Sequence, residues 1–510
     1  MRKRSLSFVS GLVLATAVIG SILVAPAAAK KKPPPPPPPP PSASSTYVKS
    51  YADILDAGRC GVTPEDVQAT SDGGSIALAQ SDCRSVSWLV KSDAAGNPQW
   101  QEEVDCFNLP PGGYALGTAV QQTTDGGYVI GGGTRDCDYS PICPYLTSQQ
   151  CGLIAKLDAG GNLAWSRVYS AGRDTSIWGI RQTRDGGFIA VGTFVDVNAD
   201  IGSFVLKVDS RGTVQWQTSV GPAGRTHALL NDVLQTADGD YVAAGDFYTA
   251  SGSDRQSVLV VRIDANGNVR WQRGFSSFDG SGALDATEHV ESIVQAADGG
   301  YLVAGAWNNS SPQTCCQGPL LLKLDANGNS QWQRAYSGGV YCYFDGYSTR
   351  CTAIGGLAYS VHQVSDGGYV VAGAGHVKLL DSVPMVPWLA KTDTSGSLLW
   401  QHFYYETSSA GRTISQYFAS STVTSDGGYL SVGFTENPFD LTGELFAVRT
   451  DSTGVAGGCS QQHPATPLDA VDPQLVGVTT LFPVRATLPT QADLPGKVQR
   501  TSIGARGGPC

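Results

Sequence analysis

A repeat that occurs seven times limits what this chain can fold into more than any other feature. Each copy opens with an Asp-Gly-Gly turn (Asp-Gly-Asp in the fourth copy), continues with an apolar run, and closes with the pattern basic-x-Asp-x-x-Gly. The first motif starts at Asp72, Asp125, Asp185, Asp238, Asp298, Asp366 and Asp426, and the second Asp stands at Asp93, Asp158, Asp209, Asp264, Asp325, Asp393 and Asp451. Successive first motifs lie 53 to 68 positions apart, which indicates a repeat architecture.

The second copy shows how one repeat divides into strands. Short apolar runs at Thr118–Gln122, Tyr128–Ile130, Leu153–Leu157 and Leu163–Tyr169 alternate with variable or glycine-containing connections. Such runs, without helical periodicity, predict β-strands joined by hairpins. Four strands in each of seven copies predict an all-β fold, a seven-bladed β-propeller, because radial repetition protects the edge strands of such units.

The two ends of the repeat array complement each other. After Asp451 the last copy has neither the repeated Trp nor a fourth strand. The residues before the first copy, Thr46–Tyr51, match Gln331–Tyr336, with Tyr47 in the place of the Trp. We therefore expect the N-terminal strand to complete the last blade and to close a propeller that spans residues 46–458.

The N-terminus is typical of an export signal. Three cations in the first four residues precede an apolar stretch, Leu6–Val24, and a small-residue segment that ends at Ala29. We interpret residues 1–29 as a cleaved signal peptide, with an uncleaved membrane anchor as the alternative. A Lys/Pro-rich linker follows at residues 30–45, and residues 459–510 form a C-terminal tail. The protein is therefore expected to be secreted or displayed at a surface.

Charge and cysteine content narrow the partners. The 510 residues carry a net charge of −10 at pH 7, which argues against nucleic acid as a partner. Twelve cysteines in an exported chain favour disulfides over metal ligands, and their spacing matches no zinc motif. We expect Cys459 to pair with Cys510 and the other ten to form disulfides on one loop face. Those ten are Cys60, Cys83, Cys106, Cys137, Cys143, Cys151, Cys315, Cys316, Cys342 and Cys351.

Residues that recur in every copy are expected to be structural, since an enzyme needs a catalytic residue once. A basic residue lies two positions before each second Asp, and we expect it to pair with a turn carboxylate. These residues are Lys91, Lys156, Lys207, Arg262, Lys323, Lys391 and Arg449. The same argument assigns structural roles to the repeated Trp residues and to Gln122, Gln182, Gln235, Gln295 and Gln363.

The segment Leu324–Trp332, Leu-Asp-Ala-Asn-Gly-Asn-Ser-Gln-Trp, resembles the repeat of the pyrroloquinoline-quinone-type propellers. It is even more similar to the repeat of secreted bacterial propellers with Asp-Gly-Gly turns, most of which have no assigned activity. The resemblance spans residues 46–458 and implies a propeller. The chain departs from the quinoprotein pattern in the shorter step from Asp325 to Gly328 and in having seven copies where eight blades are common.

Adjacent cysteines are a further point of comparison with quinoproteins, some of which join such a pair over the quinone. Here Cys315 and Cys316 are followed by Cys342 and Cys351 in the same region. Two ordinary disulfides among these four are the preferred interpretation. We therefore expect no cofactor.

Four inter-blade loops share the tripeptide Ala-Gly-Arg just before an innermost strand. The arginines are Arg59, Arg173, Arg225 and Arg412. Four guanidinium groups at the mouth of a central channel would suit a carboxylate, sulfate or phosphate group. The alternative is that each Arg ties its own loop to neighbouring carbonyls. Aromatic residues on the same face offer stacking surfaces for sugars, with loop packing as the alternative; they are Trp307, Tyr341, Tyr343, Phe344 and Tyr347.

These observations favour a non-catalytic binding module with a disulfide-stapled loop face, for an anionic saccharide, another small anion or a protein. We expect a monomer without metal, cofactor or membrane span in the mature chain. The alternative is a propeller enzyme, either a quinone-dependent oxidoreductase or a carbohydrate-active lyase or hydrolase. The sequence gives no means of pairing two carboxylates for such an enzyme, and histidines such as His227 and His289 show no carboxylate partner, so no catalytic residue is assigned.

Overall fold

A computed structural model describes the chain in segments. They are residues 46–51, 61–81, 86–105, 114–135, 150–196, 200–221, 227–248, 256–278, 286–309, 316–337, 340–344, 349–353, 356–376, 385–404, 415–436, 443–456, 469–471, 474–478, 484–486, 490–493, 497–500 and 506–507. Regular structure in these segments is β-strand throughout, and none of them contains a helix long and apolar enough to cross a membrane. The predicted signal peptide and linker lie outside the described residues.

Each of the first six repeats forms a four-stranded antiparallel unit, the seventh contributes three strands, and units are numbered here in the order of the repeats. Strands within a unit pair in chain order, because each is joined to the next by a turn or loop. A short strand, β1 (Tyr47–Tyr51), precedes unit 1. Units 1 to 3 are β2 (Val62–Ala69), β3 (Ser75–Ser81), β4 (Val86–Ser92), β5 (Pro98–Asp105); β6 (Tyr114–Gln122), β7 (Tyr128–Arg135), β8 (Gln150–Leu157), β9 (Leu163–Ser170); and β10 (Arg173–Gln182), β11 (Phe188–Val195), β12 (Ile201–Val208), β13 (Val214–Val220).

The remaining units repeat this arrangement, with a separate hairpin, β22 and β23, between units 5 and 6. Units 4 and 5 are β14 (His227–Gln235), β15 (Tyr241–Tyr248), β16 (Gln256–Ile263), β17 (Val269–Phe278); and β18 (Ala286–Gln295), β19 (Tyr301–Asn309), β20 (Cys316–Leu324), β21 (Ser330–Ser337). The hairpin and units 6 and 7 are β22 (Val340–Phe344), β23 (Thr349–Ala353); β24 (Gly356–Gln363), β25 (Tyr369–His376), β26 (Met385–Thr392), β27 (Leu398–Phe403); and β28 (Ser415–Val423), β29 (Tyr429–Glu436), β30 (Gly443–Thr450).

The fourth strand of unit 7 comes from the N-terminal segment. Strand β1 pairs antiparallel with β30, and Tyr47 lies opposite Arg449. In unit 2 the corresponding pair is Trp165 opposite Lys156. Tyr47 therefore occupies the position of the repeated Trp, and the predicted pairing of the N-terminal strand with the last repeat is confirmed.

Adjacent units are held together by contacts that repeat along the chain and continue from unit 7 back to unit 1. The Trp100 ring lies over a turn glycine of unit 2, where a Cβ atom on Gly161 would come within 3.2 Å of the ring. The Tyr47 ring lies over Gly96 of unit 1 in the same way, at 2.6 Å. Ser420 of unit 7 donates a 2.7 Å hydrogen bond to Asp66 of unit 1.

In the Asp-Gly-Gly form of the first-motif turn, shown here for unit 2, the two glycines meet different requirements; in unit 4 the second position is Asp240. Gly126 has a φ of 83°, which residues with a Cβ rarely adopt. A Cβ on the following Gly127 would lie 2.2 Å from the carbonyl oxygen of Leu157. The side chain of Asp125 accepts the Gly127 N–H at 3.0 Å and lies 3.0 Å from the ammonium of Lys156. The turn is thus a fixed element of structure.

The predicted structural residues form the predicted kinds of contact. Every repeated basic residue pairs with the first Asp of its own repeat; the pairs are Lys91–Asp72, Lys156–Asp125, Lys207–Asp185, Arg262–Asp238, Lys323–Asp298, Lys391–Asp366 and Arg449–Asp426. The repeated glutamines accept a backbone N–H from the turn of the preceding unit; they are Gln122, Gln182, Gln235, Gln295 and Gln363. Both sets are confirmed as structural.

The C-terminal tail adds a fifth strand to the outer edges of several units. Its strands are β31 (Asp469–Val471), β32 (Gln474–Val478), β33 (Val484–Ala486), β34 (Thr490–Asp493), β35 (Lys497–Arg500) and β36 (Arg506–Gly507). They pair in turn with β21, β17, β13, β9, β5 and β1. The tail therefore follows units 5, 4, 3, 2, 1 and 7, and it covers edges that would otherwise leave backbone groups unpaired.

The hydrophobic core is distributed between neighbouring units. In one cluster, Val242 and Val258 of unit 4 pack with Val290 and Leu322 of unit 5, all of them fully buried. A four-stranded sheet exposes an apolar face until a neighbour covers it, so burial depends on the whole series of units.

Candidate functional site in the central channel

The innermost strands of all the units line a single cavity. These strands are β2, β6, β10, β14, β18, β24 and β28, and the cavity has a volume of about 930 Å³. A cavity of this size accommodates a small ligand. It is therefore the place where the units jointly present side chains.

Each of these strands contains a β-bulge at an equivalent position. In unit 1 the pairing of β2 with β3 shifts between Pro64 and Asp66, so that Glu65 has no partner in the register. A bulge leaves the extra residue unpaired and redirects its side chain. The equivalent residues of the repeats, here named the bulge ring, all line the cavity; they are Glu65, Thr118, Trp178, Asn231, Glu291, Tyr359 and Ala419.

Two members of the bulge ring are used in structural ties. Thr118 donates a 2.7 Å hydrogen bond to the carbonyl of Ile177 in the next unit. Asn231 donates a 2.6 Å bond to the carbonyl of Val290 in the unit that follows its own. Four chemically distinctive side chains remain in the ring: Glu65, Trp178, Glu291 and Tyr359.

Two aspartates that follow a bulge, the half-buried Asp66 and the buried Asp232, also have structural roles. Asp66 accepts the N–H of Val120 in unit 2 at 3.0 Å, and burial raises its pKa although Arg181 opposes that rise. Asp232 accepts the N–H of Ile293 in unit 5 at 3.1 Å and pairs with Arg181 at 3.2 Å. These carboxylates connect innermost strands of neighbouring units.

Glu65 is a carboxyl group in an environment that favours its protonated form. Burial raises its pKa to about 8, and the nearby carboxylates of Asp66 and Glu291 add to that rise. Within the described part of the chain, no cation or hydrogen-bond donor holds its carboxyl. Glu65 therefore carries a proton at neutral pH and points it into the cavity.

Glu291 lies in the opposite kind of environment. Nε2 of His289 is 2.8 Å from its carboxylate, while Nδ1 of the same ring contacts Asp246, which is fully buried. Burial lowers the pKa of His289, but the hydrogen bonds to Asp246 and Glu291 outweigh burial and raise it to about 10. His289 is thus a cation that holds Glu291 in place as a carboxylate. The expectation that His289 lacks a carboxylate partner is wrong, because its partner on β15 lies 43 residues earlier in the chain.

Aromatic surfaces accompany the two glutamates. Trp178 is 43% exposed although large aromatic side chains are usually buried, and its Nε1 donates to Thr193 at 3.0 Å. Tyr359 packs against Tyr417, with ring centroids 5.8 Å apart. Burial raises the pKa of Tyr359, and Glu291 adds to this, so its hydroxyl stays protonated. These rings offer flat faces to a ligand in the cavity.

Two further histidines near the inner strands have ordinary structural contacts. Nε2 of His362 donates to the carbonyl of Ser421 at 2.6 Å, and burial lowers its pKa, so that it is neutral. Nδ1 of His227 accepts the N–H of Ile201 at 3.1 Å. Each of these two rings thus makes a hydrogen bond to neighbouring backbone.

Of the predicted anion-binding arginines, one lies within the described residues. Arg173 is the first residue of β10 and its side chain is exposed. The following Asp174 has a φ of 44° and accepts the N–H of Gln150 at 3.2 Å. Arg59, Arg225 and Arg412 lie outside the described residues, so their convergence stays a prediction.

The predicted loop cysteines are only partly within the described chain. Four of them lie in strands rather than loops: Cys151 in β8, Cys316 in β20, Cys342 in β22 and Cys351 in β23. Cys151 is disulfide-bonded. Cys342 and Cys351 lie directly opposite each other in the hairpin. The other eight, Cys60, Cys83, Cys106, Cys137, Cys143, Cys315, Cys459 and Cys510, lie outside the described residues.

The bulge ring was not predicted from the sequence, although the sequence contains a signal for it. Every member stands seven positions before the first Asp of its repeat, as Glu65 does before Asp72 and Glu291 before Asp298. Six residue types occupy this position in the seven copies, with only Glu occurring twice, whereas the turn residues recur. Among the described residues, no group of three or more His, Cys, Asp or Glu side chains is arranged to hold a metal ion.

Comparisons with known proteins find distant likeness in shape. The chain matches no protein-family model and no curated protein. A protein of unknown function from Dyadobacter fermentans is similar at a TM-score of 0.37 and 9% identity, over 65% of this chain and 93% of its own. An α-L-arabinanase from Penicillium chrysogenum, solved with arabinobiose, is similar at 0.38 and 10%, over 81% and 100%. A GH43 β-1,3-galactosidase is similar at 0.28 and 11%, over 82% and 97%. Likenesses at these values assign the chain to no family.

Proposed function

We propose that the chain is a secreted or surface-displayed seven-bladed β-propeller, closed by β1, that binds a saccharide in its central channel. The observation that carries this proposal is the bulge ring. It brings two aromatic rings, two glutamates and a 930 Å³ cavity together at one place. Saccharides are bound by aromatic faces that stack on the sugar ring and by polar groups that accept and donate hydrogen bonds to hydroxyls.

The charges in the channel define which part of a saccharide fits there. Each of the described cations that line the cavity is already paired with a carboxylate, Arg181 with Asp232 and His289 with Glu291, so an acidic sugar group would find no unpaired cation among them. Uncharged hydroxyl-bearing rings suit this position. An acidic group on the same ligand would instead be placed at the channel mouth, near the exposed Arg173 and the other predicted loop arginines.

Disulfides on the loop face belong to the same proposal. The opposed positions of Cys342 and Cys351 in a hairpin, and the disulfide-bonded state of Cys151, support covalent staples in this region. Such staples would hold long loops in place around the channel mouth.

Binding can be tested with the purified full-length chain on a glycan array, followed by titration calorimetry with the saccharides that are retained. We expect Trp178→Ala to weaken binding about 5-fold, since the loss of one stacking face corresponds to roughly 1 kcal/mol. Leu399→Ala is the matched control, because Leu399 is 57% exposed and does not line the cavity. Equal affinities for the wild-type protein and Trp178→Ala would contradict binding at the bulge ring.

A further inference from the structure

Glu65 and Glu291 are the acidic members of the bulge ring, and they lie on β2 and β18 of non-adjacent units. Both line the same cavity, and the charge of Glu291 adds to the rise in the pKa of Glu65. Their charged neighbours differ in sign. Glu65 has carboxylates as neighbours, whereas Glu291 is held at 2.8 Å by the His289 cation. Two carboxyl groups with opposed surroundings in one cavity are the basis of acid and base roles in catalysis.

We propose that the cavity hydrolyses a glycosidic bond, with Glu65 as the general acid and Glu291 as the general base. This activity rests on the proposed saccharide binding. Glu65 donates its proton to the glycosidic oxygen as the bond from that oxygen to the anomeric carbon breaks. A water molecule attacks the anomeric carbon, and Glu291 takes the proton that the water loses. Bulk solvent then returns a proton to Glu65 and removes one from Glu291, so that atoms and charges balance.

The surrounding residues support these two roles. The pKa of Glu65, raised to about 8 by burial and by its acidic neighbours, keeps its proton available at neutral pH. His289 and the buried Asp246 are positioning residues, because they orient the Glu291 carboxylate and do not reach the reacting atoms in this scheme. The Trp178 and Tyr359 rings offer faces for the sugar.

The leaving group makes the role of Glu65 testable. A sugar hydroxyl leaves only when it is protonated, whereas 4-nitrophenolate leaves without a proton. We expect Glu65→Gln to slow cleavage of oligosaccharides by about 10²–10⁴-fold and to slow cleavage of 4-nitrophenyl glycosides much less. Glu291→Gln should slow the cleavage of both. The probes are a panel of 4-nitrophenyl glycosides of common pentoses and hexoses, and the oligosaccharides retained on the array.

Controls separate this proposal from the binding proposal. Glu444→Gln makes the same chemical change at a residue that does not line the cavity, and it should leave cleavage unchanged. Saccharides bound but never cleaved by the wild-type protein would overturn hydrolysis and leave binding intact. A loss that is equal for both leaving groups in Glu65→Gln would overturn the general-acid role. If the wild-type protein neither bound nor cleaved any saccharide, both proposals would be overturned.

Discussion

Every repeat contains both a first-motif turn and a bulge-ring residue, but the side chains recur at the turns and vary at the bulges. At the turns the same pair recurs, a basic side chain with the first Asp, in every unit. At the bulges the backbone recurs but the side chain varies, with six residue types in seven units and only Glu, at Glu65 and Glu291, used twice. The turns are therefore uniform in chemistry, whereas the bulges are uniform in geometry only.

This difference separates the side chains that the fold requires in every unit from those that can vary between units. A turn must satisfy buried backbone groups in every unit, as when Lys156 donates to the carbonyl of Leu157 at 2.8 Å. A bulge residue is released from the strand register, so strand pairing does not dictate its side chain. Some units use that side chain to bind a neighbouring unit, as Thr118 and Asn231 do, and others present it to the cavity. Repetition thus marks structure here, and departure from repetition at a fixed position marks the candidate site.

The largest effect is expected at the joint where the repeats meet end to end. Deleting residues 46–51 removes β1, which leaves unit 7 with three strands and breaks the 2.8 Å bond from Tyr51 to the Gly96 carbonyl. We expect loss of the cooperative folding transition, measured by thermal unfolding and circular dichroism. We predict that the Lys/Pro-rich residues 30–41 form a linker that buries nothing, so their deletion should leave the melting temperature unchanged. Equal effects from the two deletions would contradict closure by β1.

A smaller effect is expected from changing one turn. Lys156→Met keeps the apolar stem but removes the donor to Leu157 and the partner of Asp125. We expect a loss of about 1–3 kcal/mol in the free energy of unfolding, the usual cost of an unsatisfied buried polar group. Saccharide affinity should not change, since Lys156 does not line the cavity.

Lys49→Met is the matched control for that turn variant. Lys49 makes an exposed 2.8 Å bond to Asn97, so its loss should cost less than about 0.5 kcal/mol. If Lys156→Met weakened saccharide binding without lowering stability, the turn would contribute to binding. That result would contradict the division between structural turns and a ligand-binding bulge ring.

The structural contacts of the turns could be predicted from the sequence because the residues that form them repeat in every copy. The basic residues, the inter-unit glutamines and the place of Tyr47 in the closing strand all follow from aligning the copies. The turn glycines follow in the same way, since a positive φ such as that of Gly126 is required in each copy.

The candidate site could not be predicted in the same way, because a search for what recurs discards what varies. The position seven residues before each first Asp was available for comparison, but the sequence does not show that a bulge turns it into the channel. The partners of Glu291 were hidden for another reason. His289 meets Asp246 only when units 4 and 5 pack side by side, a contact that no local pattern contains.

The smallest effect is expected in the pH dependence of stability, and it isolates one member of the bulge ring. Because the folded-state pKa of Glu65 is raised from 4.5 to about 8, the folded protein holds this proton more tightly than the unfolded chain does. Stability is therefore lost as the pH rises from about 4.5 to about 8. The Glu65→Gln variant does not undergo this loss. Its free energy of unfolding, compared with that of the wild-type protein, should therefore increase by about 1 kcal/mol between pH 5 and pH 9, less than full linkage gives because Glu65 is partly exposed.

His289 does not disturb this comparison. Its raised pKa gives stability that is present below pH 6.5 and lost towards pH 10, but it does so in both proteins and cancels in the difference. Urea unfolding at the two pH values measures the effect, and a difference that does not change with pH would mean that Glu65 is ionised in the folded channel.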